Sequence, residues 1–188
     1  NYALDPGPNG SSTLAALPEE DFPGVDHVAL MFSWADVETS EGVYDFTRVN
    51  HAYEYWRARG KRIHLRMSAE ALLWWPNSGR GVPRYVLDAL TPKEKQVRSA
   101  FGIGYTVVDA RNAHYRERLG RFLEAVAANF SGDRPVGLVD LRGFGLWGEW
   151  HSGFQYPTPE ERRAALCAII DFFANALPGH QLALSYSY

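Results

Sequence analysis

The sequence has little cysteine and no strong excess of charge of either sign. Its single cysteine, Cys167, cannot form a disulfide within the chain. It lies in the apolar stripe of a predicted helix, where we expect a buried, unreactive thiol. The 19 basic and 22 acidic residues give a net charge of −3. Because no cluster of Lys and Arg breaks this balance, no nucleic-acid partner is expected.

Long hydrophobic runs are also missing, and this excludes a further class of protein. No apolar run approaches the roughly 18–20 residues that a membrane-spanning helix needs, so no membrane partner is expected. Aromatic side chains are plentiful instead, at 14% of the chain, with six Trp and ten Tyr. Many of them must belong to the core of a single domain, but planar aromatic faces also stack on sugar rings.

Strands and helices alternate along the chain after an irregular segment over residues 1–24. Strands are predicted at 25–34, 62–68, from 136 onward and at 181–186, with helices near 47–59, 83–90, 112–130 and 158–178 and an otherwise irregular stretch over 69–110. This alternation predicts a parallel sheet with helical crossovers. A doubly wound sheet and a (β/α)8 barrel both fit. Unusual residues at the carboxyl ends of several strands favour the α/β barrel.

The segment "GFGLWG", residues 143–148, has the G-x-G-x-x-G spacing of a dinucleotide-binding turn. Such a turn opens directly into a helix, whose first amides hold the pyrophosphate. Here the next helix is predicted to start at Thr158, with Glu161 completing a capping box. A carboxylate at Glu149 would also repel phosphates. The context therefore argues against a nucleotide, and no cofactor is expected.

An extended strand gives these glycines another interpretation. One face of that strand would carry Val139, Leu141, Gly143, Gly145, Trp147 and Glu149. We expect this face to point into the barrel and to end in the carboxylate of Glu149. Trp147 and Trp150 flank that carboxylate, and an apolar wall of this kind raises a carboxyl pKa, as a general acid requires. The alternative is a structural ion pair between Glu149 and an arginine such as Arg66.

Two segments resemble clan A glycoside hydrolases, the superfamily of the galactosidase- and cellulase-like barrels. "FSWADVETSEGVYDFTRVNHAYEYWRARGKRIHLRMS" is similar to their second and third strands, with a Trp, an E-x-x-x-G-x-Y-D-F turn, a helix and a strand introduced by Gly and a basic residue. "FLEAVAANFSGDRPVGLVDLRGFGLWGEWHSG" is similar to the fourth-strand segment of bacterial barrel proteins that carry G-x-W-G-E-W-H. The resemblance covers roughly residues 25–188.

The resemblance implies a glycoside hydrolase that acts on a polysaccharide or oligosaccharide, with Glu149 as the general acid/base at the end of the fourth strand. It also implies retention of configuration, with a nucleophilic carboxylate from a seventh strand. In these families an Asn precedes the glutamate and holds the sugar 2-hydroxyl. Here Gly148 stands in that place, and His151 or Arg66 are candidates to replace the Asn. A carbohydrate-binding pseudoenzyme of the same fold is the alternative.

A complete barrel needs about 250 residues, so 188 residues are expected to form one partial barrel domain of four to five strands. We expect the inner faces of those strands, including Val139, Leu141 and Leu184, to be exposed. Further polypeptide or a second chain would then complete the barrel. A glycosidic substrate of this class favours a secreted or periplasmic location.

A carbohydrate substrate is expected to contact aromatic and polar side chains near the strand ends. The candidates are Trp34, Arg66, Trp74, Trp147, Trp150, His151 and Tyr186. For Trp74 packing within its loop is an alternative, and for Arg66 an ion pair with Glu149 or Asp140. The histidines lack metal-ligand spacing, and no metal site is expected.

Overall fold

The fold is described by a computed structural model that covers residues 2–3, 24–69, 81–100 and 102–184. The strands are β1 (Tyr2–Ala3), β2 (His27–Ser33), β3 (Glu38–Ser40), β4 (Val43–Tyr44), β5 (Arg62–Ser68), β6 (Lys95–Ala100), β7 (Ile103–Val108), β8 (Leu138–Arg142) and β9 (Leu182–Ala183). The helices are α1 (Trp34–Val37), α2 (Thr47–Arg57), α3 (Arg84–Asp88), α4 (Ala113–Asn129) and α5 (Pro159–Ala176), with a 3₁₀ turn at Leu146–Gly148.

Five strands form one sheet in the order β1-β2-β5-β8-β9, and every neighbouring pair is parallel. This spatial order is also the order of these strands along the chain. A doubly wound sheet contains a point at which the strand order reverses, whereas a barrel advances in one direction. The sheet order therefore decides between the two architectures in favour of the barrel, and β8 is the fourth of the five strands described in this sheet.

A short strand lies within residues 1–24, the segment expected to be irregular, of which the structure describes residues 2, 3 and 24. Tyr2 and Ala3 pair in parallel with Leu30 and Met31 of β2. A two-residue strand has no alternating hydrophobic pattern, so the sequence alone gives no signal for it.

One face of the sheet is covered by α2, α4 and α5, and it forms the core. Alternate strand residues supply this face, each at most 3% exposed: Val28, Leu30, Phe32, Ile63, Leu65, Met67, Val139 and Leu141. Two of the longer helices have side-chain caps, and Asn112 caps α4 through the backbone N–H of Tyr115. Thr158 and Glu161 form the expected capping box of α5, with Pro159 in its first turn. In a (β/α) barrel, helices form the outer layer and pack on alternate residues of the strands in this way.

The opposite face of the sheet is mostly polar. Met31, Arg66 and Asp140 lie side by side on β2, β5 and β8, because the strand register aligns them. A cavity of about 300 Å³ opens onto this face, where His64 and Arg142 also contribute to its lining. These side chains occupy the position of a barrel interior.

The prediction that Val139 and Leu141 of β8 point into the barrel is wrong. Val139 and Leu141 are buried against the helices, while Asp140 and Arg142 face the polar side. Side chains alternate along a strand, so an error of one residue in the phase moves every side chain to the other face. Leu184 is 45% exposed, as expected.

An antiparallel hairpin occupies part of the stretch that was expected to be irregular apart from a short helix. Strands β6 and β7 pair over their whole lengths. Tyr105 and Val107 of β7 are buried and pack in one cluster with Leu146 and Phe154. The hairpin is inserted after the carboxyl end of β5, so it lies at the same end of the sheet as the loop that follows β8.

Cys167 is exposed on α5, so the expectation of a buried thiol is wrong. The residues of α5 that enter the core are Ala165, Ile169 and Phe173, four positions apart. Cys167 lies two positions from Ala165 and Ile169, which turns it to the opposite side of the helix. Among the described residues, no helix is long and apolar enough to cross a membrane.

Candidate active site

The loop of residues 143–158 leaves the carboxyl end of β8 and holds Glu149. Its backbone is strained at three places, since Trp147, Trp150 and Ser152 have positive φ angles of 56°, 66° and 56°. Within the described ranges these are the only non-glycine residues with positive φ. Such conformations cost of order 1–3 kcal/mol each and cluster at functional sites.

Packing explains the three glycines of the segment 143–148. A Cβ at Gly143 would lie 2.8 Å from the ring of Phe173. Gly145 and Gly148 have positive φ, and a Cβ there would overlap the backbone of His151 and of Arg142 respectively. Helix α5 begins only at Pro159, well beyond the last glycine. The loop is therefore a tight turn without the helix that a dinucleotide-binding motif requires.

Glu149 follows the 3₁₀ turn, and its side chain is 35% exposed. Its Oε1 accepts a hydrogen bond from Nη1 of Arg142 at 3.2 Å. Its Oε2 lies 3.6 Å from Nε2 of His151. Charged and polar neighbours thus surround the carboxylate where an apolar wall was expected. The arginine that pairs with it is Arg142, not Arg66.

Arg142 organises this end of β8 and was missed in the sequence. Its side chain is only 5% exposed. Nε donates to Oδ2 of Asp140 at 2.8 Å, and Nη1 donates to the carbonyl oxygen of Trp147 at 2.9 Å. The guanidinium therefore connects the strand, the 3₁₀ turn and Glu149. The signal for it was the pair Asp140 and Arg142 in "LVDLR", two polar residues at strand spacing.

Asp140 is shared by two arginines. Its Oδ2 also lies 3.0 Å from Nε of Arg66, so Arg66 is placed in the polar face as half of an ion pair. Burial raises the pKa of the Asp140 carboxyl, and the nearby charge of Arg66 opposes that shift. Oδ1 of Asp140 is buried without a hydrogen-bond partner among the described residues.

The two tryptophans beside Glu149 are half-buried and hold the loop. The indole N–H of Trp150 donates to the carbonyl oxygen of Leu141 at 2.8 Å, which fastens the loop to β8. The ring of Trp147 meets the ring of His151 edge-on, with centroids 6.2 Å apart. His151 therefore lies beside both Glu149 and Trp147, while Trp150 anchors the loop to β8.

Trp34 does not belong to the site. Its side chain is fully buried, and its ring stacks on Phe122 of α4. Its indole N–H donates to Oε2 of Glu38, a buried carboxylate that also accepts from Tyr85 at 2.7 Å. The prediction that Trp34 contacts a substrate is wrong, because α1 begins directly after β2 and turns this residue into the core. Trp74 and Tyr186 lie outside the described residues.

The histidines give no metal centre within the described residues, where no three or more His, Cys, Asp or Glu side chains form a possible ligand group. His64 does not meet His151. It contacts His27 instead, with Nε2 of His64 2.8 Å from Nδ1 of His27. Two ring nitrogens alone make an incomplete ligand set for a structural metal.

The chain superposes on parts of several solved enzyme structures. Endo-glycoceramidase II from Rhodococcus sp. superposes with a TM-score of 0.63 at 19% identity, over 96% of this chain and 46% of that one. The catalytic domain of a beta-amylase from Paenibacillus polymyxa gives 0.55 at 14% identity, over 81% and 42%. The chain folds as part of a (β/α)8 barrel.

A third match is an exo-beta-1,4-mannosidase from Opitutaceae bacterium strain TAV5, with a TM-score of 0.52 at 15% identity over 85% of this chain and 25% of the other. This chain thus spans less than half the length of the structures it matches. No family model and no curated protein sequence matches it. At these identities the likeness shows the fold alone, a partial (β/α) barrel.

Proposed function

We propose that this chain is the part of a glycoside hydrolase that carries the general acid/base, Glu149. The observation that carries the proposal is the place of Glu149 just after the carboxyl end of β8, the fourth strand of a parallel sheet that advances in one direction. Barrel enzymes draw their catalytic residues from this end of the strands. The resemblance to clan A enzymes assigns the acid/base glutamate to the same strand.

The surroundings of Glu149 support this role. Its side chain is partly exposed, so a substrate can reach it, yet Arg142 holds one of its oxygens in place. The strained backbone of Trp147, Trp150 and Ser152 indicates that the loop conformation is kept at a cost in stability.

The mechanism follows from what one carboxyl group can do. Protonated Glu149 gives its proton to the glycosidic oxygen as the bond to the sugar breaks, and the resulting carboxylate then removes a proton from water. Retention of configuration requires a second carboxylate about 5 Å away as the nucleophile. One structure of the Rhodococcus endo-glycoceramidase is a lactosyl-enzyme intermediate, and a covalent glycosyl-enzyme is the mark of a retaining mechanism.

The second carboxylate and the rest of the barrel are proposed to come from further polypeptide or a second chain. The matched barrel structures are more than twice as long as the aligned part. The strands at the two edges of the sheet, β1 and β9, each pair on one side only with described strands. Unpaired strand edges favour pairing with additional strands.

A polysaccharide or oligosaccharide is the proposed substrate. Trp147, Trp150 and His151 lie next to Glu149 and are the proposed sugar contacts. Arg66 is also a proposed sugar contact. Its Nε pairs with Asp140, and its other guanidinium nitrogens would contact the sugar. Trp74 and Tyr186 stay predictions, as does a secreted or periplasmic location.

Replacement of Glu149 by Gln tests the proposal in the protein that contains this chain. Glu149→Gln keeps the shape of the side chain but removes the transferable proton, so kcat on an aryl or oligosaccharide glycoside should fall at least about 100-fold. Glu124→Gln, at an exposed position of α4, is the matched control and should leave kcat unchanged. Equal rates for the wild type and Glu149→Gln would rule out the assignment.

The ion pair between Glu149 and Arg142 favours a second candidate, a carbohydrate-binding pseudoenzyme. In that case Glu149 is structural and no glycoside is hydrolysed. Glu149→Gln would then lower the melting temperature, while the wild type would bind oligosaccharides without cleaving them. Binding calorimetry together with product analysis on the same oligosaccharides separates the two candidates.

A further inference from the structure

A second cleft, distinct from the polar face of the sheet, lies between the β6–β7 hairpin and the loop that carries Glu149. Its volume is about 800 Å³. Gln96 and Arg98 of β6 line one side, and Gln155 and Arg162 come from the loop after β8 and the first turns of α5. Both the hairpin and the loop extend from carboxyl ends of parallel strands, so the cleft opens on the face where barrel enzymes bind substrates.

The charge of this cleft is of one sign. Arg98 and Arg162 contribute to the lining, and none of the lining residues that the structure describes is acidic. The carboxylate of Asp109 interacts with the lining residue Tyr156, and it is already paired with Arg111 at 3.0 Å. Neither Arg98 nor Arg162 forms an ion pair with a residue that the structure describes. The cleft therefore presents two uncompensated cations.

Arg98 is held in place by a contact that joins the two sides of the cleft. Oε1 of Gln96 accepts from Nη2 of Arg98 at 3.2 Å and from the backbone N–H of Gln155 at 3.1 Å. Nε of Arg98 is buried and has no acceptor within the described part of the chain. A buried donor without an acceptor is unfavourable, and an anionic group in the cleft would satisfy it.

The floor of the cleft is apolar and rigid. Tyr105 and Phe154 are at most 8% exposed, and Phe154 packs against Tyr156 with ring centroids 5.2 Å apart. The hydroxyl of Tyr105 donates to the carbonyl oxygen of Ser152, which ties the hairpin to the loop. An apolar floor lowers the local dielectric and strengthens charged hydrogen bonds above it.

We propose that this cleft binds an anionic saccharide, with Arg98 and Arg162 contacting its carboxylate or sulfate groups. That the ligand is a saccharide rests on the proposed function, whereas the preference for negative charge rests on the cleft itself. The cleft would make the protein selective for acidic glycans on the face that also carries Glu149.

Calorimetric titration of the chain with matched tetrasaccharides tests the charge preference. Tetragalacturonate should bind at least about tenfold more tightly than the neutral cellotetraose, and added NaCl should weaken the binding of the uronate alone. A sulfated tetrasaccharide distinguishes the two anionic groups, since tighter binding than the uronate assigns the cleft to sulfate esters. Equal affinity for the neutral and both anionic ligands would overturn the proposal.

Variants locate the binding in the cleft. Arg98→Gln and Arg162→Gln should each weaken binding of the preferred anionic ligand about tenfold. Arg163→Gln is the matched control, because Arg163 is exposed one position further along α5 and does not line the cleft. Arg162 is itself exposed, so its variant keeps the test valid if Arg98→Gln does not fold. Equal weakening by all three variants would contradict a specific site.

The outcome does not depend on catalysis by Glu149. Glu149→Gln should keep the preference for the anionic over the neutral tetrasaccharide, because Glu149 does not line the cleft that is proposed to set this preference. Loss of hydrolysis with intact anion selectivity supports both proposals. Hydrolysis by Glu149 without anion selectivity keeps the proposed function and rejects the anionic ligand.

Discussion

The two faces of the parallel sheet are held together by different forces. On the outer face, residues such as Leu65 and Val139 are buried by helices at 1% and 0% exposure. On the inner face, Arg66 and Asp140 form a short ion pair and line an open cavity. Stability of the outer face comes from apolar area removed from water, whereas the inner face depends on compensation between charges.

This difference teaches where function can be placed in the fold. Helices can cover the outer face only if its side chains are apolar, so that face leaves no room for chemistry. The inner face and the loops at its carboxyl end carry the charged groups, including Arg142 and Glu149. The same kind of substitution should therefore change stability by different amounts on the outer face and on the inner face.

The largest difference is expected between two leucines on the same strand. Leu141 of β8 is 3% exposed on the outer face, and Leu138 is half-buried on the inner face. Leu141→Ala should lower the free energy of unfolding by about 3 kcal/mol, because it leaves a cavity under the helices. Leu138→Ala in the same chain should cost about 1 kcal/mol or less. Urea unfolding measures both, and equal losses would contradict the assignment of the two faces.

A smaller effect is expected when a charge is removed from the inner face. Arg142→Met keeps most of the side-chain volume but leaves Asp140 with Arg66 alone and the Trp147 carbonyl without this donor. We expect a loss of about 2 kcal/mol in unfolding free energy. The control is Arg121→Met, which removes an exposed pair with Glu117 and should cost about 0.5 kcal/mol at most.

If Arg121→Met destabilised the protein as much as Arg142→Met, the inner-face network would not be a stabilising feature. Thermal and urea unfolding of both variants, compared under the same salt concentration, provide this measurement.

The smallest expected effect is a change of stability with pH. It arises from His64, which lies on the inner face towards the amino end of β5. Burial, and then the neighbouring His27, lower the pKa of His64 below its usual 6.5. The unfolded chain therefore binds the proton more readily, so stability is full above pH 6.5 and falls as the pH drops below it. His64→Gln should flatten this fall in a series of melting temperatures between pH 8 and 5. His51→Gln, at an exposed site on α2, should retain it.

The sequence allowed most of the outer layer to be predicted. The strand Arg62–Ser68 and the helix Ala113–Asn129 were expected within one residue of their bounds, because their hydrophobic periods are regular. The β6–β7 hairpin was not predicted. Tyr105 and Val107 give the hairpin a buried face that packs on a distant loop around Leu146, a contact that no local pattern reveals.

The site was predicted less well, because the exact residues at which β8 ends and α1 begins decide where its side chains point. The motif around Glu149 and the grouping of Trp147, Trp150 and His151 were visible from the sequence. The phase of β8 was assigned one residue off, because the glycines after Arg142 were read as continuing the strand, whereas they leave it. Trp34 looked like a strand-end aromatic, but the immediate start of α1 buries it.

The strands of the sheet have the same order in space as along the chain. This has a consequence for how the sheet forms during synthesis. β5 can pair with β2 as soon as it is made, and each later strand of the sheet finds its partner already in place. The longest connection between neighbouring strands runs from Ser68 to Leu138. The entropy of closing a loop rises only slowly with its length. The hairpin and its cleft could therefore be inserted there with little effect on the route by which the sheet is built.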